Sequence, residues 1–313
     1  MGKAKHVAVL MGGWSAEREV SLRSGKACAE ALERQGYGVT RIDVGRDIAT
    51  LLQTLKPDVA LNMLHGRPGE DGTIQGILET IGVPYSHSGV LASALAMQKD
   101  LAKAILRAAD VPVPDGVVVS RVDAAKEHPL PRPYVVKPIA EGSSVGVFIV
   151  TEAHDHPPQE LYRDDWPFGD RVLVEPYLPG KELTCAVMGD VALDVIEIVP
   201  ATVRSTVAFY DYEAKYAPGG SKHLLPAPLL PNVYQETRRL ALAAHRALGC
   251  RGVSRADFRY DDRVEGTGGL ICLEVNTQPG MTETSLVPEL AAHAGTSFGE
   301  LVRWMVEDAS LNR

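Results

Sequence analysis

Acidic and amide side chains alternate along two neighbouring segments near the C-terminal end of the chain. In Ser254-Arg255-Ala256-Asp257-Phe258-Arg259-Tyr260, a strand's period of two puts Arg255, Asp257 and Arg259 on one face and Ala256, Phe258 and Tyr260 on the other. In Leu273-Glu274-Val275-Asn276 the same period groups Glu274 with Asn276. Paired as a hairpin, the two segments bring two carboxylates and an amide oxygen together. These are hard ligands that suit Mg²⁺ when nucleotide phosphates complete its octahedron. Either strand alone reads as a solvated polar face; the pair, followed by the Thr277-Gln278-Pro279-Gly280 turn, reads as a metal face.

A second cluster is Val135-Val136-Lys137-Pro138, a strand ending in lysine, followed by Glu141-Gly142-Ser143-Ser144-Val145-Gly146. Small residues in succession expose backbone N–H groups to an anion, and Lys137 adds a point charge for phosphate. No Walker A or GxGxxG pattern is present. Alone, such a loop is a surface turn as often as a phosphate grip; with the downstream metal face it suggests a nucleotide held between two sheets. Two further segments follow strands near the N-terminus. Gly12-Gly13-Trp14-Ser15-Ala16-Glu17 opens a helix whose start attracts anions or orients a small acidic substrate, with Glu17 able to accept an ammonium hydrogen bond. An N-cap at Ser15 with acids in the first turn explains the same pattern, and spacing does not choose between them. His65-Gly66-Arg67-Pro68-Gly69-Glu70-Asp71-Gly72 lies where open α/β sheets bind ligands.

The elements that must position these residues follow from periodicity. Apolar runs at His6–Met11, Val39–Val44 and Asp58–Leu64 alternate with helical spacing from Ser15 to Gly36, at Ile48–Leu55 and at Thr73–Ile81. This alternation predicts an open parallel α/β unit over roughly the first ninety residues. After a pause at Ser86–Met97, a helix is expected at Lys99–Ala109 and strands at Val117–Val119, Tyr134–Lys137 and Arg171–Pro176. A hairpin over Leu183–Met188 and Val191–Val199 turns at Gly189-Asp190. Residues from Ala201 to Pro231 show no period, and a stretch of that length is more often a functional lid than filler. Beyond it lie a helix at Tyr234–Leu248, hairpin strands at Val253–Tyr260 and Leu270–Asn276, and helices at Leu286–His293 and Phe298–Val306.

Composition narrows the classes. The 313 residues carry 32 Lys plus Arg against 40 Asp plus Glu, a net charge of −8, which advertises no basic face for nucleic acid. No apolar run is long enough to span a bilayer, so no membrane association and a cytoplasmic location are expected. Cys28, Cys185, Cys250 and Cys272 sit in apolar contexts without CxxC spacing and read as reduced core thiols.

Taken together the motifs resemble those of the D-alanine–D-alanine ligases of the ATP-grasp superfamily. The resemblance is carried by Gly12–Glu17 with Val20-Ser21, Leu64–Arg67 with Gly69–Gly72, Lys137-Pro138 with Glu141–Gly146, Phe209–Tyr216, Arg255–Asp257, and Glu274–Thr277 through Met281. These motifs occur in the family's order over nearly the whole chain. Pro68, where members often carry an aromatic residue, and Gln278 within the turn depart from the pattern, and Asp261–Gly269 is a long, Gly-rich hairpin loop.

The resemblance implies an α/β and α+β three-domain ATP-grasp fold with an N-terminal open parallel α/β domain. The divisions fall at 1–97, 98–185 and 186–313, with a lid at about 201–231. It implies ATP-dependent joining of two D-alanines through D-alanyl phosphate, giving ADP and phosphate, for peptidoglycan precursors. By resemblance, Asp257, Glu274 and Asn276 hold two Mg²⁺, with Mn²⁺ as a substitute. Lys99 and Lys137 hold phosphates, Ser144 binds ATP, and Glu175, the Leu178 backbone and Glu182 hold adenine and ribose. Arg255 and the Gly280 N–H stabilise the tetrahedral oxyanion. Glu17 binds the first ammonium and forms a hydrogen-bonded set with Ser143 and Tyr216. His65 is a substrate residue, and Lys215, Ser285 and Leu286 secure the second carboxylate. A homodimer is implied. A sibling ligase making D-alanyl-D-lactate and a catalytically silent nucleotide-binding regulator are the alternatives.

Overall fold

The computed structural model describes residues 5–142, 145–200 and 220–313. The N-terminal sheet is parallel, in the order β2(Gly38–Asp43), β1(His6–Met11), β3(Val59–Asn62). Both faces of β1 are buried, so its run is continuously apolar rather than alternating. Val7 and Val9 join one core with Cys28, Ala31 and Leu32 of α1(Arg18–Arg34); Ala8 and Leu10 join another with Ile48 and Leu52 of α2(Ile48–Leu55) and Ile74 and Leu78 of α3(Thr73–Ile81). The strand ends therefore deliver Gly12–Glu17 and Met63–Glu70 to one edge of the sheet, the position where open α/β sheets hold ligands.

α4(Val90–Met97) and α5(Lys99–Ala108) follow, hinged at Gln98, which has extended backbone between them. The pause expected over Ser86–Met97 thus contains a helix. Its sequence VLASALAM is apolar all round and carries no helical stripe to read.

A second, antiparallel sheet has the order β4(Val117–Ser120), β7(Arg171–Pro176), β5(Tyr134–Pro138), β6(Phe148–Val150), with α6(Arg121–Lys126) packed on it. The third sheet has the order β10(Ser221–Leu224), β9(Val191–Pro200), β8(Lys181–Met188), β11(Val253–Tyr260), β12(Leu270–Asn276). α7(Pro231–Ala247), α8(Leu286–His293) and α9(Phe298–Asp308) complete the chain. The sequence reading lacks α6, β6 and β10, elements of six, three and four residues. The 97/98 division lies at the Gln98 hinge, and the 185/186 division lies inside β8, which pairs along its length with β11.

The N- and C-terminal parts share a core. Val7, Val9 and Leu32 pack in one cluster with Ile196, Val253, Met281, Leu290 and Leu301. This packing seats the Asn276–Met281 turn against β3.

Candidate active site

The floor of the site is one face of the third sheet. Asp257 is registered opposite Thr184 on β8 and Glu274 on β12, and Arg255 opposite Asn276. The other face carries Ala256, Phe258 and Tyr260 into the core, as their period requires. On β12 strict alternation would put Cys272 beside Glu274 and Asn276. The register instead shifts between Asp257 and Phe258, so that Cys272 pairs with Phe258 and is buried with it. A bulge next to the acidic residues thus keeps a thiol out of the site and bends the strand beneath it.

Arg255 forks onto Asp257, with Nε 2.9 Å from Oδ1 and an Nη 2.8 Å from Oδ2. The Thr184 hydroxyl donates to Asp257 Oδ1 at 2.7 Å. Lys99, at the start of α5, reaches the Glu141 carbonyl at 2.6 Å and a Glu274 oxygen at 3.3 Å. Asn276 Oδ1 accepts the Gln278 N–H at 2.8 Å, which fixes its amide.

Beneath the second sheet, Glu175 is only 2 % exposed and meets two lysines. Lys103 donates to its Oε1, and Lys137 Nζ lies 2.5 Å from its Oε2. Burial pushes the Glu175 carboxyl upward, but Lys137 and Lys103 together outweigh it and hold it below the ordinary value. Burial, helped by the Lys137 charge, brings the Lys103 ammonium down to about 8.

The N-terminal loops close the opposite wall. Ser15 Oγ donates to the His65 carbonyl at 2.7 Å and accepts the Glu17 N–H at 3.2 Å, so it ties two loops together; the helix itself starts at Arg18. The Glu17 carboxylate makes no capping bond to that helix. His65 Nδ1 lies 3.3 Å from Glu70 Oε1, and burial raises the Glu70 carboxyl. Among the described residues, His65 Nε2 is buried without a hydrogen-bond partner. Gly142 brings the phosphate-type loop against this wall: a Cβ there would lie 3.3 Å from Glu17 Oε2.

These residues enclose a cavity of about 1040 Å³ lined by Glu17, His65, Lys99, Glu182, Arg255, Asp257, Glu274, Asn276, Gly280, Ser285 and Leu286, among others. A narrower pocket of about 100 Å³ adjoins it, sharing Lys99, Glu182, Asp257 and Glu274 and adding Lys137, Glu175 and Leu178. The structure thus gathers every described residue singled out from sequence. Ser143, Ser144, Lys215 and Tyr216 lie outside the described residues, as does 201–219 of the expected lid.

Several neighbours escaped the sequence reading. Lys103 stands one helical turn beyond Lys99 and beside buried Ala102, and a lysine within an apolar stripe was the available signal. Gln278 was visible only as a departure from pattern. Its buried amide exchanges hydrogen bonds with Asn62 at the end of β3. His223, 2.6 Å from Glu289 and also lining the cavity, sits on the short β10 and gave no signal.

A family model described as the D-ala D-ala ligase C-terminus matches residues 105–307, and one for the N-terminus matches 46–88. The chain belongs to the D-alanine–D-alanine ligase family. Over all 313 residues, covering the whole of both chains, it is 74% identical to a D-alanine–D-alanine ligase of Rhodopseudomonas palustris strain BisB18 and 72% identical to that of Afipia carboxidovorans. Among solved structures, the Bacillus anthracis D-alanine–D-alanine ligase complexed with ATP superposes with a TM-score of 0.79 at 30% identity, over 97% of each chain. The architecture is that of the ATP-grasp ligases, an N-terminal parallel α/β sheet followed by two antiparallel sheets.

Proposed function

We propose that the chain joins two D-alanine molecules with ATP through a D-alanyl phosphate, releasing ADP and phosphate and supplying a peptidoglycan precursor. One observation carries the reading. The narrow pocket of Lys137, Glu175, Leu178 and Glu182 opens, across Lys99, Asp257 and Glu274, into a cavity bearing Glu17, Arg255, Gly280 and Ser285. A nucleotide in the first would point its phosphates at amino acids in the second. The curated relatives are named for dipeptide formation, which favours D-alanine over D-lactate as acceptor.

A carboxylate is a poor electrophile, so it is first phosphorylated. In-line attack needs positioning and charge neutralisation more than covalent help from the protein. Lys99 and Lys137, with the Ser144 loop, would hold the phosphates; Glu175, the Leu178 backbone and Glu182 would hold adenine and ribose. Glu17 would take the first D-alanine's ammonium beside His65, forming a set with Ser143 and Tyr216. Ser285 and Leu286 at the start of α8, with Lys215, would take the second carboxylate. When the second amine attacks the acyl phosphate, negative charge grows on the carbonyl oxygen. Arg255 and the Gly280 N–H would stabilise it.

Two carboxylates and an amide oxygen on adjoining strands fit Mg²⁺, a hard ion that keeps positions for phosphate and water. Asp257, Glu274 and Asn276 would hold two such ions, and Mn²⁺ could substitute. Bound there, the metal would neutralise charge developing on the transferred phosphoryl group.

Three domains with nucleotide between the second and third, divided near the Gln98 hinge and at β8, and a homodimer in the cytoplasm complete the reading. No described helix is long and apolar enough to cross a membrane.

The test is phosphate release with D-alanine, ATP and Mg²⁺. D-alanine should stimulate ADP and phosphate formation with D-alanyl-D-alanine as product. AMP and pyrophosphate would overturn the acyl-phosphate route. Asp257→Asn and Glu274→Gln should each abolish ligation with the fold intact, and ordinary turnover in both would remove the metal assignment.

A further inference from the structure

Lys103 is 5 % exposed on α5, and its ammonium meets Glu175 Oε1. Lys137 meets the other oxygen from β5. Each oxygen of one buried carboxylate thus has its own lysine, yet the two lysines differ in place. Lys137 lines the narrow pocket together with Glu175 and Lys99, with its side chain 14 % exposed. Lys103 is not among the lining residues and stands behind Glu175.

We propose that Lys103 is a positioning residue for the nucleotide base: it is the permanent partner of Glu175, while Lys137 is the exchangeable one. The inference rests on the reading that Glu175 faces adenine and Lys137 phosphate. A carboxylate buried to this degree stays ionised and fixed only beside a cation. A lysine shared with a phosphate divides its charge between two anions, so the undivided partner of Glu175 is Lys103. Held this way, Glu175 accepts a hydrogen bond from the exocyclic amine of adenine and repels the carbonyl that hypoxanthine carries in the same place. The buried lysine would thereby set the preference for ATP over inosine triphosphate without touching either.

The experiment compares kcat and KM for ATP and inosine triphosphate, at saturating D-alanine, in the wild type, Lys103→Met, Glu175→Gln and the double variant, with folding followed by thermal melting. Lys103→Met should reduce the ATP preference about tenfold, the scale of one charge-assisted hydrogen bond. The loss should lie in nucleotide KM, with kcat for ATP little changed. The double variant should match Glu175→Gln, because Lys103 acts through Glu175. If Glu175→Gln loses the preference and Lys103→Met keeps it, Lys103 is a packing residue and the inference falls. If Glu175→Gln itself keeps the preference, the base assignment falls, and the inference with it. Should Lys103→Met fail to fold, Lys103→Arg and the double variant decide. Arginine retaining the preference supports the inference, and arginine losing as much as Glu175→Gln overturns it.

Discussion

Replacing Gln278 by methionine keeps its volume and removes only its amide. Gln278 is 1 % exposed, and Asn62 is fully buried. Asn62 Nδ2 donates to Gln278 Oε1 at 3.1 Å, and Gln278 Nε2 donates to the Asn62 carbonyl. The same Asn62 amide donates to the Gly69 carbonyl at 3.0 Å and accepts the Leu64 N–H at 3.1 Å. The pair therefore joins β3 and the His65–Glu70 loop to the turn that carries Asn276 and Gly280. A net hydrogen bond is worth about 1 kcal/mol, and a buried polar atom left short of a partner adds about 1–3 kcal/mol. The two lost bonds together should destabilise the fold by about 3 kcal/mol, a melting decrease of roughly 4–5 °C for a chain of this size. Because the tether sets one wall of the cavity against its floor, kcat should fall about tenfold or more, with nucleotide KM less affected. Thermal melting and steady-state phosphate release measure both. Adding Asn62→Leu to Gln278→Met should lower stability further, since it strips the buried Leu64 N–H of its acceptor. A single variant that melts within about 2 °C of wild type and turns over normally would refute the tether, on the same scale.

Arg255→Ala should lower kcat by about a hundredfold while nucleotide still binds, as loss of an oxyanion donor does. Arg255→Lys should rescue little, because one ammonium cannot reproduce the two-pronged contact with Asp257. Single-turnover ligation with a separate nucleotide-binding assay distinguishes these effects. Acid stability follows from two buried histidines: burial lowers His87 to about 3 and His245 to about 4. In the unfolded chain both protonate near pH 6.5, so below that value the unfolded state binds protons that the native state refuses. Stability should fall as pH drops from about 6.5 toward 4, at up to about 1.4 kcal/mol per pH unit for each histidine. Denaturant midpoints between pH 7 and 4.5 should fall less steeply in His87→Gln; an unchanged slope would contradict the assignment.

The sequence by itself determined the alternating faces. Arg255, Asp257 and Arg259 share one side of β11 because side chains alternate along any strand, and Thr73–Ile81 is a helix because its apolar spacing has one amphipathic solution. It also exposed the small-residue loops, since glycines at Gly12 and Gly142 leave room that only a turn or a close approach requires. Tertiary structure decided what a period cannot encode. The bulge at β12 sends Cys272 to the core, against strict alternation, because Leu273 has no partner opposite it and the pairing skips from Glu274 to Cys272. Lys103 gained its partner only when β7 placed Glu175 against it, 72 residues away in the chain. Gln278 and Asn62, 216 residues apart, became partners only when the shared core brought β3 under the turn. Local sequence sets which face a side chain takes; the partner on that face comes from elements distant in the chain, and only packing brings them together.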